Sequence, residues 1–494
     1  MSAAGSTAGR AGATRWEPVI GLEVHVQLAT ASKLFCRCEA RFGAPPNSLV
    51  CPVCTGQPGT LPVLNGEALR LGVLAGLALQ CRIDAVTKFD RKNYFYPDLP
   101  KGYQISQFDQ PLCRNGVLEF DHEGVRRRVH VVRAHLEEDS GKIIHPEGME
   151  LSLVDLNRAG TPLLEIVSGP DLRSTGEASA YLQALRRTLR YAGVSECDME
   201  KGSFRCDANL SLRAGPDAPF GTRTEIKNLN SFRFVAAALA AEAERQAALL
   251  DRGERVVQST MAFDPQSGRT AVMRTKEDAH DYRYFPEPDL PRFLVPAAWV
   301  DGLRRELPEL PDARRARFLS ELGLAPREAD ALLGERVLAD YFEAVLAAGA
   351  TGLDPTSTAG WVLTEVLRLS NERRLPVNQL ATTPGRLAGL LAMVGAGELS
   401  VQAARHVVSA LEEQPRRAAR ELAQALDLVQ VSDSGALEAV VREVLAREAD
   451  MVARYRSGKT GLLHALLGSV MKASGGKANP NTVRELLAKV LAEA

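Results

Sequence analysis

The sequence predicts an α+β fold in which a sheet-rich N-terminal half is followed by an all-α C-terminal half. Up to about Pro291 the chain alternates short strand-like runs with glycine and proline turns and a few helical patterns. Strands and helices without a regular βαβ order are typical of a mainly antiparallel sheet. After Pro291 nearly every segment is rich in Ala, Leu, Arg and Glu at helical spacing. A chain of 494 residues is too long for one ordinary core, so we expect two or three domains.

The composition narrows the class of protein. No stretch approaches the roughly 18 uninterrupted apolar residues that a membrane span needs. The formal net charge of −1 provides no overall basic field, so a nucleic-acid partner would have to bind local basic patches. Met1–Arg15 lacks the apolar core of a secretory signal. We expect this segment to be disordered, with a short transit peptide as the alternative.

The first strong strand pattern is Val19–Leu28, in which apolar and polar residues alternate. Glu23 and His25 therefore share one face of the strand, opposite to the apolar residues. A carboxylate and an imidazole two residues apart are well placed to bind one cation together. A solvated strand face would show the same spacing and is the alternative.

Four cysteines follow in a short segment. Cys36 and Cys38 form one pair, and Cys51 and Cys54 form a second. Two pairs of thiolates joined by a short loop suit a tetrahedral Zn²⁺ site without an open position, which would be structural. The alternative is four unrelated reduced cysteines. Cysteines concentrated in this way suggest metal binding rather than disulfides, and so a reducing compartment.

Further polar residues interrupt later strand patterns. Glu165 is the only acid in Leu163–Val167, and a buried carboxylate without a partner is costly, so it must border a cleft or be paired. His135–Lys142 holds three acids before a turn, and carboxylates are the ligands with which Mg²⁺ holds nucleotide phosphates. One face of Phe204–Arg213 mixes cations, an acid and hydrogen-bonding groups. That face suits a triphosphate with its metal, and equally a wet sheet face.

The C-terminal half predicts helices separated by short breaks, with a further division near residue 425. Helical spacing extends over Glu328–Leu346 and over Ala436–Arg456. Ser457–Thr460 resembles the end of a phosphate-binding loop, but that motif needs a glycine where Ala453 stands. The preceding segment also predicts a helix instead of a strand, so we reject the phosphate-binding loop.

Several ordered blocks of the sequence together resemble the B subunits of aspartyl/glutamyl-tRNA amidotransferases. They are long and spread over the first three hundred residues, which makes chance a poor explanation. The blocks are Val19–Leu28, Cys51–Pro62, Lys88–Gln107, Val154–Val167, Met199–Asp207, Arg223–Phe232 and Tyr282–Pro291. Near the end of the chain, Gly475–Pro480 is similar to the family's small helical tail domain.

The resemblance implies three domains and an enzyme. Residues 16–296 would form a cradle-like catalytic domain with the zinc site, 297–424 a helical linker domain, and 425–494 a helical tRNA-binding tail. The implied activity is that of an ATP-dependent carbon–nitrogen ligase with glutamine as amido donor. ATP phosphorylates the side-chain carboxylate of Glu-tRNA(Gln), Asp-tRNA(Asn) or both, and ammonia then converts it to the amide.

The resemblance also implies partners and a location. The glutaminase partner, which is the A subunit of such enzymes, would supply the ammonia, and the small C subunit would wrap the pair. The tRNA(Gln) and tRNA(Asn) substrates would be charged by a non-discriminating synthetase. The expected location is the bacterial cytoplasm, without a membrane.

Site residues carry over by motif. The residues that fall where the family binds Mg²⁺ are Glu23, His25, Glu138 and Glu165. The choice of Glu138 over the neighbouring Glu137 is one of register. The residues at the family's zinc position are Cys36, Cys38, Cys51 and Cys54. Some members lack these cysteines, so the zinc is expected to be structural. Candidates for contacts with ATP and its phosphates are Arg158, Arg205, Asp207, Lys227 and Asn228. For the basic residues, surface salt bridges are the alternative.

Two other functions fit parts of the sequence. A non-catalytic, zinc-containing tRNA-binding protein would leave the acidic strand faces unexplained. An ATP-dependent ligase of a small carboxylic acid would have no need of a tRNA-gripping tail.

Overall fold

The computed structural model describes residues 16–146, 148–275, 281–349, 352–430, 434–474 and 478–493. The chain divides into two compact units, Met1–Asp312 and Ala313–Ala494. The predicted disordered segment, Met1–Arg15, lies outside the described residues, as do the first three residues of the tail motif Gly475–Pro480. The predicted domain boundaries after residues 296 and 424 stay predictions.

The first unit is built on a twelve-stranded sheet, with two further pairs of short strands. Its strands are β1 (Glu17–Gln27), β2 (Arg82–Ile83), β3 (Val86–Thr87), β4 (Asp90–Asn93), β5 (Tyr103–Ser106), β6 (Cys113–His122), β7 (Val125–Glu138), β8 (Lys142–Ile144), β9 (Leu153–Asp155), β10 (Pro162–Ser168), β11 (Phe204–Arg213), β12 (Thr224–Leu229), β13 (Ser259–Asp264), β14 (Arg269–Thr275), β15 (Phe285–Pro286) and β16 (Phe293–Leu294). The order across the large sheet is β14-β13-β12-β11-β1-β10-β7-β5-β4-β15, with β6 beside β7 and β2 beside β6. Within it β12 and β13 are parallel and the other paired strands are antiparallel. The predicted α+β class is confirmed.

One face of this sheet is covered by helices. The helices of the unit are α1 (Gly66–Ala78), α2 (Thr175–Tyr191), α3 (Phe232–Asp251) and α4 (Ala297–Glu306). Both α2 and α3 begin after a serine, Ser174 and Ser231, whose hydroxyl accepts a hydrogen bond from a backbone N–H in the first turn. Apolar residues of β1, α2 and α3 form one core, so the opposite face of β1 is left for polar side chains.

The second unit consists of helices. Beginning just before it, the helices are α5 (Pro311–Ser320), α6 (Pro326–Leu332), α7 (Arg336–Ala348), α8 (Pro355–Trp361), α9 (Leu367–Arg373), α10 (Pro384–Gly395), α11 (Val401–Glu413), α12 (Ala419–Ala425), α13 (Ser434–Arg447), α14 (Ala449–Arg456), α15 (Leu462–Ala473) and α16 (Pro480–Glu493). A π-helical turn, Val362–Val366, joins α8 to α9, and a short 3₁₀ turn spans Val377–Gln379. No helix of the described ranges is long and apolar enough to cross a membrane.

Two long helical patterns of the second unit are each broken in the structure. Glu328–Leu346 is divided between α6 and α7 by a turn that contains Gly334, a residue that weakens a helix interior. Ala436–Arg456 is divided between α13 and α14 at Glu448, where φ is −99° and ψ is 35°. Helical periodicity persists across breaks this short, so the sequence pattern did not predict them. Ser457 directly follows α14. A helix, and not a strand, therefore precedes Ser457–Thr460, which confirms the rejection of a phosphate-binding loop there.

A buried carboxylate connects α3 to the sheet. Glu242 is 0% exposed, and its two oxygens accept hydrogen bonds of 2.7–2.9 Å from Thr224, Arg245, Gln246 and Thr270. Burial alone would raise the pKa of Glu242, but these donors, with Arg245 first among them, hold the pKa below its ordinary value. The charged carboxylate therefore stabilises the fold.

We expect Glu242→Ala to lower the free energy of unfolding by about 3 kcal/mol, because it leaves the Arg245 guanidinium, the buried Thr224 and Gln246 side chains and the partly buried Thr270 hydroxyl without their acceptor. The exposed Glu244→Ala on the same helix is the control, with an expected change within about 0.5 kcal/mol. Denaturant unfolding followed by circular dichroism measures both.

The stabilisation by Glu242 should also depend on pH. Since the pKa of Glu242 is lowered by folding, its contribution to the free energy of unfolding is complete above the ordinary pKa and is lost as the pH falls through the folded pKa. The gap between wild type and Glu242→Ala should therefore narrow in acid, and equal losses in both variants at neutral pH would contradict this role.

Candidate active site

The central strand β1 presents a polar face opposite to the helices. Leu22, Val24 and Val26 are at most 1% exposed and belong to the core. Because side chains alternate along a strand, Glu23 and His25 point to the other side. There they face residues of β10 on one side and β11 on the other.

Strand pairing gathers acidic and imidazole groups around His25. His25 lies opposite Glu165 of β10, and Glu165 lies opposite His135 of β7. The His25 Nε2 atom is 3.4 Å from a carboxylate oxygen of Glu165 and 3.7 Å from one of Glu137. His135 Nε2 is 3.8 Å from each of the two carboxylates. Donor atoms of His25, Glu137 and Glu165 all lie within 4.8 Å of one another and could hold a metal ion.

The charges in this cluster depend on one another. Burial would raise the pKa of Glu165, but His135 and His25 hold the pKa well below its ordinary value. The pKa of Glu137 is also lowered, against the effect of burial, by His135 and His25. Burial would lower the pKa of His25, whereas the hydrogen bond with Glu165 and the charge of Glu137 raise it. The two carboxylates are thus ionised, as metal ligands must be.

The structure does not bring Glu138, the predicted ligand, into this cluster. Adjacent residues of a strand point to opposite faces, and since Glu137 faces His25, Glu138 faces away. Its carboxylate pairs with Lys101 and accepts a hydrogen bond of 2.9 Å from the backbone N–H of Ile105. The cluster therefore contains Glu137 in the place for which the family resemblance, in the register chosen, suggested Glu138.

Glu23 lies beside the cluster. Its carboxylate accepts a hydrogen bond of 3.1 Å from the Asn209 side chain, and its donor atoms are not among those grouped around His25. Burial, together with the negative charges of Glu165, Glu225 and Asp207, raises the pKa of Glu23. A cation bound nearby would relieve this repulsion, because it would favour the charged form of the carboxylate.

The predicted phosphate-binding residues lie on the same face. The Arg205 guanidinium is 2.8 Å from Asp139, and Arg158 is 3.6 Å from the same residue. Lys227 is 3.0 Å from Asp207 and also 3.0 Å from Glu225. The side chains of these basic residues are 33–36% exposed, and carboxylates hold each of them in position. Asn228 is part of β12, and its side chain lies outside the described part of the structure.

Several of these groups line one cleft. It is lined by His25, Glu137, Arg205 and Lys227, and also by Lys92, and its volume is about 300 Å³. Small-molecule sites commonly have volumes of about 300 to 1,000 Å³, so the cleft is at the lower end of that range. A larger neighbouring groove shares Arg205, Leu229 and Asn230 with it and is also lined by Arg158.

Sequence reasoning assigned no role to Lys92 and His135, and it considered Asp139 only as one of the three acids of His135–Lys142. Lys92 and Asp139 line the cleft, and His135 contacts both acidic residues of the cluster. His135 carried a usable signal, because it stands two residues before Glu137 and so shares its strand face. No such signal in the sequence pointed to Lys92. Its strand, β4, has only four residues, and its place in the sheet depends on the pairing of β4 with β5 and of β5 with β7.

The predicted cysteine site is assembled in the structure. Donor atoms of the four cysteines lie within 4.8 Å of one another; they are Cys36, Cys38, Cys51 and Cys54. A hydrogen bond from Cys36 is the main cause that lowers the pKa of Cys54 to about 4. The fully buried Lys33 ammonium lies 3.5 Å from the Cys54 sulfur and favours its thiolate form. Four sulfur donors beside a buried cation fit a closed metal site.

The other four cysteines are buried and separate from this cluster; they are Cys81, Cys113, Cys197 and Cys206. Burial raises the pKa of each of these thiols. They behave as small core residues.

Comparison with known proteins identifies the family. Residues 18–301 match the family model of the GatB/GatE catalytic domain, and residues 340–491 match that of the GatB domain. The B subunit of the aspartyl/glutamyl-tRNA(Asn/Gln) amidotransferase of Geotalea uraniireducens is 51% identical over 97% of this chain and 99% of its own length. The chain belongs to the amidotransferase B-subunit family. The B subunits of Moorella thermoacetica and Thermodesulfovibrio yellowstonii are 51% and 46% identical, over 96% and 97% of this chain and 99% and 100% of their own lengths.

Family membership confirms the predicted role. The chain is the B subunit of an amidotransferase and thus part of a glutamine-dependent ligase, and the family is ATP-dependent. The resemblance of the sequence blocks and the comparison over nearly the whole chain agree.

We expect Cys54→Ser to reduce the metal bound by this B subunit from about one ion per chain to a small fraction of that, because a closed four-sulfur site loses a ligand. Metal content after purification, measured by inductively coupled plasma mass spectrometry, checks this. Cys81→Ser, which changes a buried thiol outside the cluster, should keep the wild-type content. Equal metal in all three proteins would show that the cysteines do not form the site.

Proposed function

We propose that this B subunit uses ATP to phosphorylate the side-chain carboxylate of Glu-tRNA(Gln), Asp-tRNA(Asn) or both, and then amidates it with ammonia. The observation that carries the proposal is the cluster of His25, Glu137 and Glu165, which borders a cleft lined by several basic groups. The names of the relatives, which specify Asp- and Glu-tRNA, support this choice of substrate.

The reaction explains why such a cleft is needed. A free carboxylate does not react with ammonia, because it repels nucleophiles and would have to expel oxide. When a carboxylate oxygen attacks the γ-phosphorus of ATP, the bond to ADP breaks and an acyl phosphate forms. Ammonia can then add to the acyl carbon, lose a proton and expel inorganic phosphate. The protein has mainly to position these groups and to stabilise negative charge.

We assign the metal of this reaction to the cluster around His25. His25, Glu137 and Glu165 would hold Mg²⁺, with Glu23 beside them. When bound, Mg²⁺ supplies positive charge that neutralises the phosphate oxygens. Glu137 replaces Glu138 in this assignment because only Glu137 faces the cleft.

The basic residues are assigned to the anionic groups of the substrates. Arg205 and Lys227 line the cleft, and their carboxylate partners fix the direction in which their remaining N–H groups point. Arg158 lines the neighbouring groove and donates to the backbone carbonyl of Ser140 at 3.0 Å, so its guanidinium is held against the chain. With Asp207 and Asn228, these residues are our candidates for contacts with ATP.

The remaining parts of the proposal follow from the chemistry and the family. An acyl phosphate is lost to water if it is exposed, so ammonia should be delivered by a partner, which we take to be the glutaminase A subunit of the family's complexes, held by their small C subunit. The four-cysteine site would hold a structural Zn²⁺. The tail would grip the tRNA, which a non-discriminating synthetase charges, in the bacterial cytoplasm.

The experiment that tests this function follows ADP formation and amide formation by the chain assembled with its partner subunits. The substrates are Glu-tRNA and Asp-tRNA, with ammonium chloride in place of glutamine. We expect ADP and amide to form in equal amounts with at least one of the two. If neither aminoacyl-tRNA stimulates ADP formation, the proposed function is wrong.

We expect Glu137→Gln to lower the rate of ADP formation at least about 100-fold, because it removes one charged ligand from the cleft. The same change should abolish the binding of one Mn²⁺, used as a probe for Mg²⁺ and measured from the loss of the free-ion electron paramagnetic resonance signal. Glu138→Gln is the matched variant, and it should keep this Mn²⁺ site because Glu138 faces away. Loss of Mn²⁺ binding in Glu138→Gln but not in Glu137→Gln would restore Glu138 as the ligand.

A further inference from the structure

The basic residues of the cleft differ in how they are neutralised. Arg205 is paired with Asp139, and Lys227 is paired with both Asp207 and Glu225. Lys92 enters the same cleft from β4. Among the described residues its side chain has no ion pair and no hydrogen bond, so it is the cleft-lining cation without a carboxylate partner there.

The contacts of Lys92 are with aromatic rings. Its ammonium nitrogen lies 4.9 Å from the centre of the Tyr282 ring and 5.8 Å from that of Tyr94. Ring faces attract a cation and hold it in place, but they do not satisfy its three N–H donors. The Tyr94 hydroxyl donates to the Gln104 side chain, at 3.3 Å, and the Tyr282 ring packs against that of Tyr284, which fixes the two rings in turn. Lys92 is therefore a positioned cation with free donors.

The carboxylates of the cluster around His25 also favour the charged form of Lys92. Burial would lower the pKa of this ammonium, but the negative charges of Glu137 and Glu165 raise it above its ordinary value. When a metal ion occupies the cluster, those two carboxylates are neutralised by it. Lys92 is then left in a half-buried cleft without compensating charge, and a buried charge without a partner is costly. A ligand anion would remove that cost.

We propose that Lys92 is a catalytic residue that binds the oxyanion on which charge changes during phosphoryl transfer. This anion is either the γ-phosphoryl group of ATP or the side-chain carboxylate of the aminoacyl-tRNA. The reaction joins these two groups in one acyl phosphate. The inference rests on the function proposed above for this cleft. During the step the carboxylate oxygen bonds to phosphorus and the bond to ADP breaks, while the ammonium keeps its proton and its charge.

The test compares Lys92→Met with Lys92→Arg in the assembled enzyme. Methionine keeps the unbranched length without the charge, whereas arginine keeps the charge. Removal of one preorganised donor to a developing oxyanion typically costs about 100- to 1,000-fold in rate, and we expect that loss in kcat/KM of ADP formation for Lys92→Met. Lys92→Arg should retain at least about tenfold more activity than Lys92→Met. Both should unfold at the wild-type temperature.

Binding measurements distinguish the two sources of the anion. If Lys92 contacts the γ-phosphoryl group, Lys92→Met weakens binding of β,γ-methylene-ATP but not of ADP in isothermal titration calorimetry. If it contacts the carboxylate, both nucleotides bind as in wild type, while KM rises for Glu-tRNA and binding of uncharged tRNA is unchanged. Either pattern supports the proposal, and a purely structural role would produce neither.

Three results would overturn it. Activity of Lys92→Met within about threefold of wild type would show that no reacting anion depends on the ammonium. Equal losses in Lys92→Met and Lys92→Arg would show that the charge is not what matters. Equal weakening of ADP and β,γ-methylene-ATP, accompanied by a lower unfolding temperature, would show a structural role. A wild-type enzyme without aminoacyl-tRNA-dependent ADP formation would instead overturn the proposed function, and the two failures are thereby distinguished.

Discussion

The arrangement of the cleft depends on the burial of one face of β1. Leu22, Val24 and Val26 are packed against helices in the middle of the sheet, and a shift of one residue would expose all three to the cleft and bury Glu23 and His25. The free energy of burying apolar side chains therefore fixes which side chains face the cleft. The antiparallel pairing of β1 with β10 and β11, and of β10 with β7, sets the direction of the side chains on those strands. As a result Glu165, Arg205 and Glu137 face the same side of the sheet as His25.

This constraint also explains what the sequence could predict. Alternation within a single strand is a local property, so the polar faces of β1 and β11 and the four-cysteine segment were identified correctly from the residues alone. Glu137 and Glu138 could not be separated in that way, because both are nearly fully buried and both find partners. Only the opposition of His135 to Glu165 in the pairing of β7 with β10 decides which of the two faces His25.

The features that the sequence did not predict are those that depend on contacts between distant segments. Neither the pairing of Arg205 with Asp139 nor the contact of Lys92 with Tyr282 joins residues close in the chain. Motif matching could name Arg205 and Lys227 as basic residues, but it could not show that carboxylates already neutralise them. In the helical unit the features that the sequence did not predict are local. A short break such as the one at Glu448 leaves the spacing of the apolar residues nearly unchanged, so the pattern still indicates one helix.

The order of the strands gives the cleft a charge pattern that suits a metal–triphosphate complex. Lys227 and Arg205 lie on β12 and β11, on one side of the acidic residues of β10 and β7, and Lys92 lies on β4, on the other side. A cation held between Glu137 and Glu165 would therefore have basic groups on both flanks. A triphosphate alone would be repelled by the acidic centre, and a metal alone would leave Lys92 without an anion to bind. A metal and a triphosphate bound together meet both requirements. Lys92 lies on one side of the acidic centre, and Arg205 and Lys227 lie on the other. An acceptor carboxylate can therefore enter on one flank while the nucleotide is held on the other.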